Sequence, residues 1–266
     1  MAKLFDQQKG LVPTWYEAIT FLATQGEAFN MLLEIAAPTT LTDKENAAVC
    51  RIDDALRQSD DSSVQHVAHT IFPRQFLNRY PRPEVYDRFV DLMEKKGKKK
   101  NTWGTYAMRI CRRPGKTKDT FFYPLDTIIT KLKQASGSKT PFRLAYEMGV
   151  LEPNDDIFPF EIPTYNGVLD ARLNRNMPCL SHLTFKMVKR THVNLTALYR
   201  SHYYCSKSLG NLIGLRDLLA FVAGESGLQV GTLTCLSSYA KFDAEAWGGA
   251  VSAKAVLKGV GEDLAA

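Results

Sequence analysis

Residues 183–201 read LTFKMVKRTHVNLTALYRS. From Val193 to Tyr199 apolar side chains stand at the odd positions, the period-two pattern of a strand with one buried face. Leu183–Val188 alternates less regularly, and Lys189-Arg190-Thr191-His192 between the two runs reads as a turn, so the stretch predicts an antiparallel hairpin. Downstream, Leu209–Ser226 predicts a buried helix carrying Leu212, Leu215, Leu218, Leu219 and Val222, closed by Gly227 as a left-handed cap. Val230–Leu236 predicts one more strand.

Working back towards the N-terminus, helices dominate. Trp15, Ile19 and Leu22 recur at helical spacing, with Thr14 or Asp43 as candidate N-caps. A second helix is expected near Asp43–Arg57, with Ala47, Val49, Ile52 and Leu56 facing inward. A third begins after Pro83, with Val85, Phe89 and Leu92 on one side, and ends near Gly97. A fourth spans Asp126–Ala135 and carries Ile128, Ile129 and Leu132, and a short strand is expected at Phe142–Tyr146. Helices ahead of a strand–strand–helix–strand block predict an α+β fold in one domain over 1–266, with 1–100 mainly helical.

Composition narrows the class. The 266 residues are 45% hydrophobic, with 14 Phe, 11 Tyr and 3 Trp, ample surface for a folded core. No apolar run reaches the roughly 18 residues that span a bilayer, and the start resembles no signal peptide, so a cytoplasmic protein without membrane association is expected. The cysteines Cys50, Cys111, Cys179, Cys205 and Cys235 are odd in number and widely spaced, which argues against a disulfide framework or structural zinc. The net charge of +6 is concentrated in Lys95–Lys100 and Arg112–Lys118. The first run follows a predicted helix and suits its C-terminal turn, so no nucleic-acid partner is expected.

Three sites carry possible chemistry. Cys179, in Asn176-Met177-Pro178-Cys179, follows a proline and precedes a strand. It reads either as a small buried hydrophobe or as a nucleophile at a sheet rim, activated by a nearby cation. Arg200, at the far end of the next strand, is the candidate cation, because antiparallel pairing brings that end back beside Cys179. Arg200-Ser201 suits a phosphate or is a surface turn. Asn211 can read the amide edge of a uracil-like base or serve as a helix-start residue. His66 and His69 beside Asp60 and Asp61 make a weak metal set, and no metal is expected. Neither a Gly-x-Gly-x-x-Gly nor a Gly-x-x-x-x-Gly-Lys-Ser/Thr motif occurs, so a dinucleotide or P-loop site has no support.

In order, Pro178-Cys179, Tyr199-Arg200-Ser201, Gly210-Asn211 and Gly227-Leu228-Gln229-Val230-Gly231 resemble the thymidylate synthase and pyrimidine-nucleotide hydroxymethylase superfamily. The family places its Asn eleven residues after its Arg, as here. Trp103-Gly104-Thr105-Tyr106 with Arg109 is similar to its Gly-Tyr-Gly-x-x-Trp-Arg segment, and the likeness extends over 103–243. The resemblance implies a large twisted mixed sheet flanked by helices, paired in a homodimer. It implies that Cys179 adds to C6 of a pyrimidine nucleotide, making C5 a carbon nucleophile towards a one-carbon unit borne by a methylene-tetrahydrofolate-type donor. Arg200, Ser201 and the partner subunit's Lys139 would hold the phosphate, Asn211 the base.

The sequence departs from the family pattern at several points. Tyr203 stands for the aspartate on the folate side, and Lys241-Phe242-Asp243 for the ribose-binding His-x-Tyr. Leu180 takes the place of the histidine after the nucleophile, with His182 two residues on, and His69 lies near the position of the relay glutamate. The longer span before Cys179 implies an insertion around Glu152–Pro163. These departures, with Tyr106 and Arg109 as further pocket candidates, point to an altered substrate or cosubstrate, or to a non-catalytic nucleotide-binding descendant.

Overall fold

The computed structural model describes residues 3–5, 10–97, 102–115, 117, 120–137, 161–170, 173 and 177–266. The strand expected at 142–146 lies outside them. In chain order the elements begin with strand β1 (Lys3–Phe5), helix α1 (Leu11–Gln25) and strand β2 (Glu27–Ile35). Among the described residues the α-helices that follow are α2 (Asp43–Gln58), α3 (Val64–Ile71), α4 (Arg74–Leu77), α5 (Glu84–Leu92), extended by a π-helical turn at Met93–Gly97, and α6 (Tyr106–Cys111). A small ribbon of β3 (Arg113–Pro114) and β4 (Phe121–Phe122) leads to α7 (Pro124–Gly137), β5 (Glu161–Pro163) and α8 (Gly167–Asp170). Then come β6 (Leu180–Val188), β7 (His192–Tyr199), β8 (His202–Tyr203), α9 (Leu209–Ser226), β9 (Gln229–Lys241) and α10 (Ala250–Ala265).

Among the described residues a mixed sheet of seven strands organises the fold, in the order β1-β2-β9-β7-β6-β5, with β8 beside β9. The predicted hairpin forms: β6 and β7 pair antiparallel, with Leu183 opposite Ala197 and Phe185 opposite Leu195. Lys189 and Arg190 both take positive φ (49° and 62°), the backbone that a tight hairpin turn demands. The chain then crosses through α9 and returns as β9, parallel to β7. Gly227 caps α9 in the left-handed conformation (φ 72°). Gly231 is required by packing, since a Cβ there would collide with the Asn194 side chain, whose Oδ1 accepts from Thr232 N–H at 3.0 Å.

Helix α9 is buried all round, from Leu212 and Leu215 to Leu218, Leu219 and Val222, because the sheet lies on one side and α3 and α7 on others. Its approach to α3 depends on Gly210 and Gly214. Added Cβ atoms would fall 2.6 Å from Val67 Cβ and 2.6 Å from the Ala68 carbonyl oxygen. The sheet's inner face is formed by Met31, Leu33, Ile35, Leu233, Cys235, Val193, Leu195, Ala197, Leu183 and Phe185, all buried. Leu32, Leu198 and Leu236 point the other way and stay partly exposed.

Five sequence expectations are corrected. The N-terminal part also contributes β1 and β2, and β2 pairs with β9 over its whole length. The cap of α2 is Thr42, not Asp43: Thr42 accepts from Glu45 N–H at 3.2 Å while Glu45 accepts from Thr42 N–H at 2.7 Å. Thr14 lies within α1, its hydroxyl donating to the Gly10 carbonyl at 2.8 Å. On α2 it is Ala48, not Ala47, that is buried, and on α5 Leu92 is 41% exposed while Tyr86 and Val90 turn inward. No helix among the described residues is long and apolar enough to cross a membrane.

Candidate active site

The hairpin closes where the sequence suggested. Arg200 N–H donates to the Cys179 carbonyl at 2.9 Å, so the arginine at the end of β7 lies beside the residue that opens β6. Its guanidinium donates to the Pro178 carbonyl, reaches Met177 Sδ at 3.9 Å and stacks over the Tyr165 ring at 5.3 Å. Cys179 is half-buried and its thiol is free. Burial pushes the thiol pKa up, and the Arg200 charge pulls part of that rise back.

Tyr106 holds the backbone beneath this thiol. It enters at the start of α6, whose cap is the Thr105 hydroxyl, and its phenol oxygen accepts from Cys179 N–H at 2.8 Å and from Leu180 N–H at 3.2 Å. Burial pushes the Tyr106 pKa up to about 12, so the group is a neutral phenol at physiological pH. Three residues on, Arg109 anchors α6 by a two-pronged pair with Asp170 (2.6 and 2.8 Å) and a bond to the Thr164 carbonyl at 2.9 Å. Its guanidinium also lies 5.1 Å from the centroid of Trp103, whose ring is 4.8 Å from that of Tyr106. Arg109 thus braces the helix that supports Cys179.

Asn211 sits on the first turn of α9 and is 7% exposed. Its side-chain nitrogen is 3.1 Å from His202 Nε2, and His202 Nδ1 is 2.9 Å from Ser237 Oγ. Ser201 is half-buried in the turn between β7 and β8. Tyr203 (42% exposed) stands opposite Lys241 in the β8–β9 pairing. Asp243 is turned inward instead: its carboxylate accepts from Cys205 N–H at 2.8 Å and Ser206 N–H at 3.2 Å, closing the turn that leads into α9. His182 lies on β6 with Nε2 3.5 Å from Glu161 of β5, an edge strand inside the segment read as an insertion. Lys139 lies outside the described residues.

The structure therefore brings Cys179, Arg200, Tyr106 and the Arg109 brace together, and links Asn211 to the buried His202. Sequence reasoning missed His202, Ser237, Tyr165 and Asp170. The alternation through β7 buries odd positions, so His202 reads as outward-facing. The Arg200-Ser201 turn reverses that parity and puts it in the core. Asp170 carried no signal, because its partner Arg109 is sixty-one positions away.

No family model matches the chain. A protein named "Putative thymidylate synthase" from Methanosarcina barkeri is 22% identical over 230 residues, 86% of this chain and 84% of its own. Proteins of the same name from Methanococcoides burtonii and Methanosarcina acetivorans are 34% identical over 97 residues and 38% over 69. Those two matches cover 42% and 31% of the relatives' lengths. The mixed seven-strand sheet of the described residues and the ordered Cys179, Arg200 and Asn211 motifs agree with these matches, which support a divergent thymidylate-synthase-like member.

Proposed function

We propose that the chain, acting as a single unit over 1–266, transfers a one-carbon group to C5 of a pyrimidine nucleotide through a Cys179 adduct. The observation that carries this reading is the half-buried Cys179 thiol on a backbone tied to both Arg200 and Tyr106. In the proposed step the thiolate sulfur bonds to C6 and the C5–C6 electron pair moves onto C5 and the C4 carbonyl. C5 would then bond to the one-carbon unit and lose its proton as the carbon–nitrogen bond to the donor breaks, leaving an exocyclic methylene on C5. Water (hydroxymethylation) or a hydride from the donor (methylation) would add to that methylene as the C5–C6 double bond re-forms and the sulfur leaves.

Arg200 and Ser201, with the partner subunit's Lys139, would grip the 5′-phosphate, and Asn211 would read the base. A methylene-tetrahydrofolate-type donor is supported by the name that the matched relatives carry. A homodimer is supported by the partly exposed outer residues Leu32, Leu198 and Leu236 of the sheet. A cytoplasmic setting fits a nucleotide substrate. Nucleic acid is not a proposed partner: Arg112 is engaged by Asp87 (3.0 Å) and Asp91 (2.8 Å), and Arg113 donates to the Arg109 and Pro163 carbonyls.

A second reading, a nucleotide-binding protein without turnover, is favoured by the raised thiol pKa and by the commitment of the Asp243 carboxylate to the Cys205 and Ser206 N–H groups. One experiment separates the two. Turnover predicts release of tritium from C5 of a uridine or cytidine nucleotide, abolished in Cys179→Ala. Nucleotide binding without any release supports the second reading and removes the first.

A further inference from the structure

Between the arginine and the asparagine of the proposed site lies a histidine that the reaction above does not use. His202 is 1% exposed, its ring stacked flat on Tyr199 (centroids 4.1 Å apart, planes at 4°) and tilted against Tyr204 at 5.2 Å. Both ring nitrogens are engaged, Nδ1 by Ser237 Oγ and Nε2 by the Asn211 amide. Burial pushes its pKa down to about 3, so the ring is neutral at physiological pH, with one nitrogen that donates and one that accepts.

The identity of its neighbours says which is which. An amide nitrogen only donates, so the Nε2 that faces Asn211 is the acceptor. The ring proton therefore resides on Nδ1 and is donated to Ser237 Oγ, a hydroxyl able to accept it. One Asn211 N–H is thereby committed to the histidine. What remains on the amide is one N–H beside one carbonyl oxygen, a donor next to an acceptor. A uracil-type ring presents the complement: a C4 carbonyl that accepts and an N3–H that donates. With the ring proton on Nε2 instead, the Asn211 oxygen would be drawn inward to accept it. The edge that faces the base would then be reversed, its N–H opposite the N3–H of a uracil-type ring and its oxygen opposite the C4 carbonyl, an order that suits a cytosine-type ring instead. A misdirected donor of that kind costs more than the hydrogen bond gains, because a polar group is desolvated without a partner.

We propose that His202 is a positioning residue: held by Ser237 in its Nδ1-protonated form, it orients the Asn211 amide and so sets a preference for uracil-type over cytosine-type nucleotides. This rests on the reading of Asn211 as the residue that meets the base. Tyr199 and Tyr204 wall the ring on its faces, which holds it in the plane that keeps both bonds.

The test uses the full chain, with uridine and cytidine 5′-monophosphates in both ribo and deoxy forms as probes, and ribose 5-phosphate as a ligand without a base. The wild type is expected to bind the uracil forms more tightly. In His202→Phe that preference should fall by about tenfold or more, while ribose 5-phosphate binding stays as in the wild type. His202→Gln, whose amide oxygen can accept in place of Nε2, should retain most of it. A measurement that needs no variant runs alongside: long-range proton–nitrogen spectra of histidine-labelled wild type should show hydrogen on Nδ1 and a bare Nε2 for the one buried ring. Hydrogen on Nε2, or an unchanged preference in a folded His202→Phe, overturns this inference and leaves the functional reading standing. A wild type that binds none of the nucleotides overturns that reading and this inference with it.

Discussion

Replacing Tyr106 by Phe removes one oxygen and keeps the ring, its burial and its contact with Trp103. That oxygen accepts from two consecutive backbone N–H groups, of Cys179 at 2.8 Å and Leu180 at 3.2 Å. Leu180 is fully buried, so its N–H gains no water in exchange. A net hydrogen bond contributes about 0.5–1.5 kcal/mol, and a buried donor left without a partner costs about 1–3 kcal/mol. Taking the exposed-side bond at Cys179 as the smaller and Leu180 as the larger, the substitution should cost about 2–4 kcal/mol of folding stability. Urea unfolding reads this as a lower midpoint with an unchanged slope. The second readout is local. With Cys50, the exposed thiol, replaced by Ser, alkylation reports on Cys179, and it should speed up as the strand start loosens. Stability within about 0.5 kcal/mol of the wild type together with unchanged alkylation would refute the claim that Tyr106 holds the Cys179 backbone in place.

Two further outcomes follow from the same framework. Asp170→Asn should cost about 3–5 kcal/mol, because Asp170 (1% exposed) neutralises Arg109 (14% exposed) and its loss leaves that charge without its counter-ion. Burial alone would raise the Asp170 pKa, yet the Arg109 bonds, the Asn166 N–H and the Arg109 charge hold it below the usual carboxylate range. Its contribution is therefore present above the unfolded value of about 3.9 and is lost as pH falls through the folded one, so the variant's acid-unfolding curve should be flatter there. Gly214→Ala should cost about 1–3 kcal/mol, since the new methyl meets the Ala68 carbonyl and Ile71 of α3, while Gly224→Ala, with nothing within 4 Å, should be neutral or stabilising; equal effects in thermal unfolding would contradict the close-approach account.

Much of this arrangement was legible in the sequence where one physical signal acted alone. The hairpin was readable because β7 is buried on one face only, and α9 because a long apolar run ends at a glycine suited to positive φ. Strand β2 was not: Glu27-Ala28-Phe29-Asn30-Met31-Leu32-Leu33-Glu34-Ile35 is rich in helix formers, and its pairing with β9 overrides that preference. The C-terminal helix α10 (Ala250–Ala265), interrupted by Gly259 and Gly261, gains its place by packing on α2. At the site, Cys179 and Arg200 were paired by strand arithmetic. The Tyr106 bond to Cys179 and the Arg109–Asp170 brace arise from residues far apart in the chain, which no local pattern encodes. His202 was hidden by the turn that inverts the strand's parity.

The central claim is a bond between the Cys179 sulfur and a ring carbon. The most direct test is carbon NMR of a pyrimidine nucleotide labelled at C6, mixed with the wild type and with Cys179→Ala. The account predicts that a share of the C6 signal moves from the unsaturated to the saturated region with the wild type and not with the variant. Tritium release from C5 with C6 wholly in the unsaturated region throughout, or a saturated signal that persists in Cys179→Ala, would contradict it.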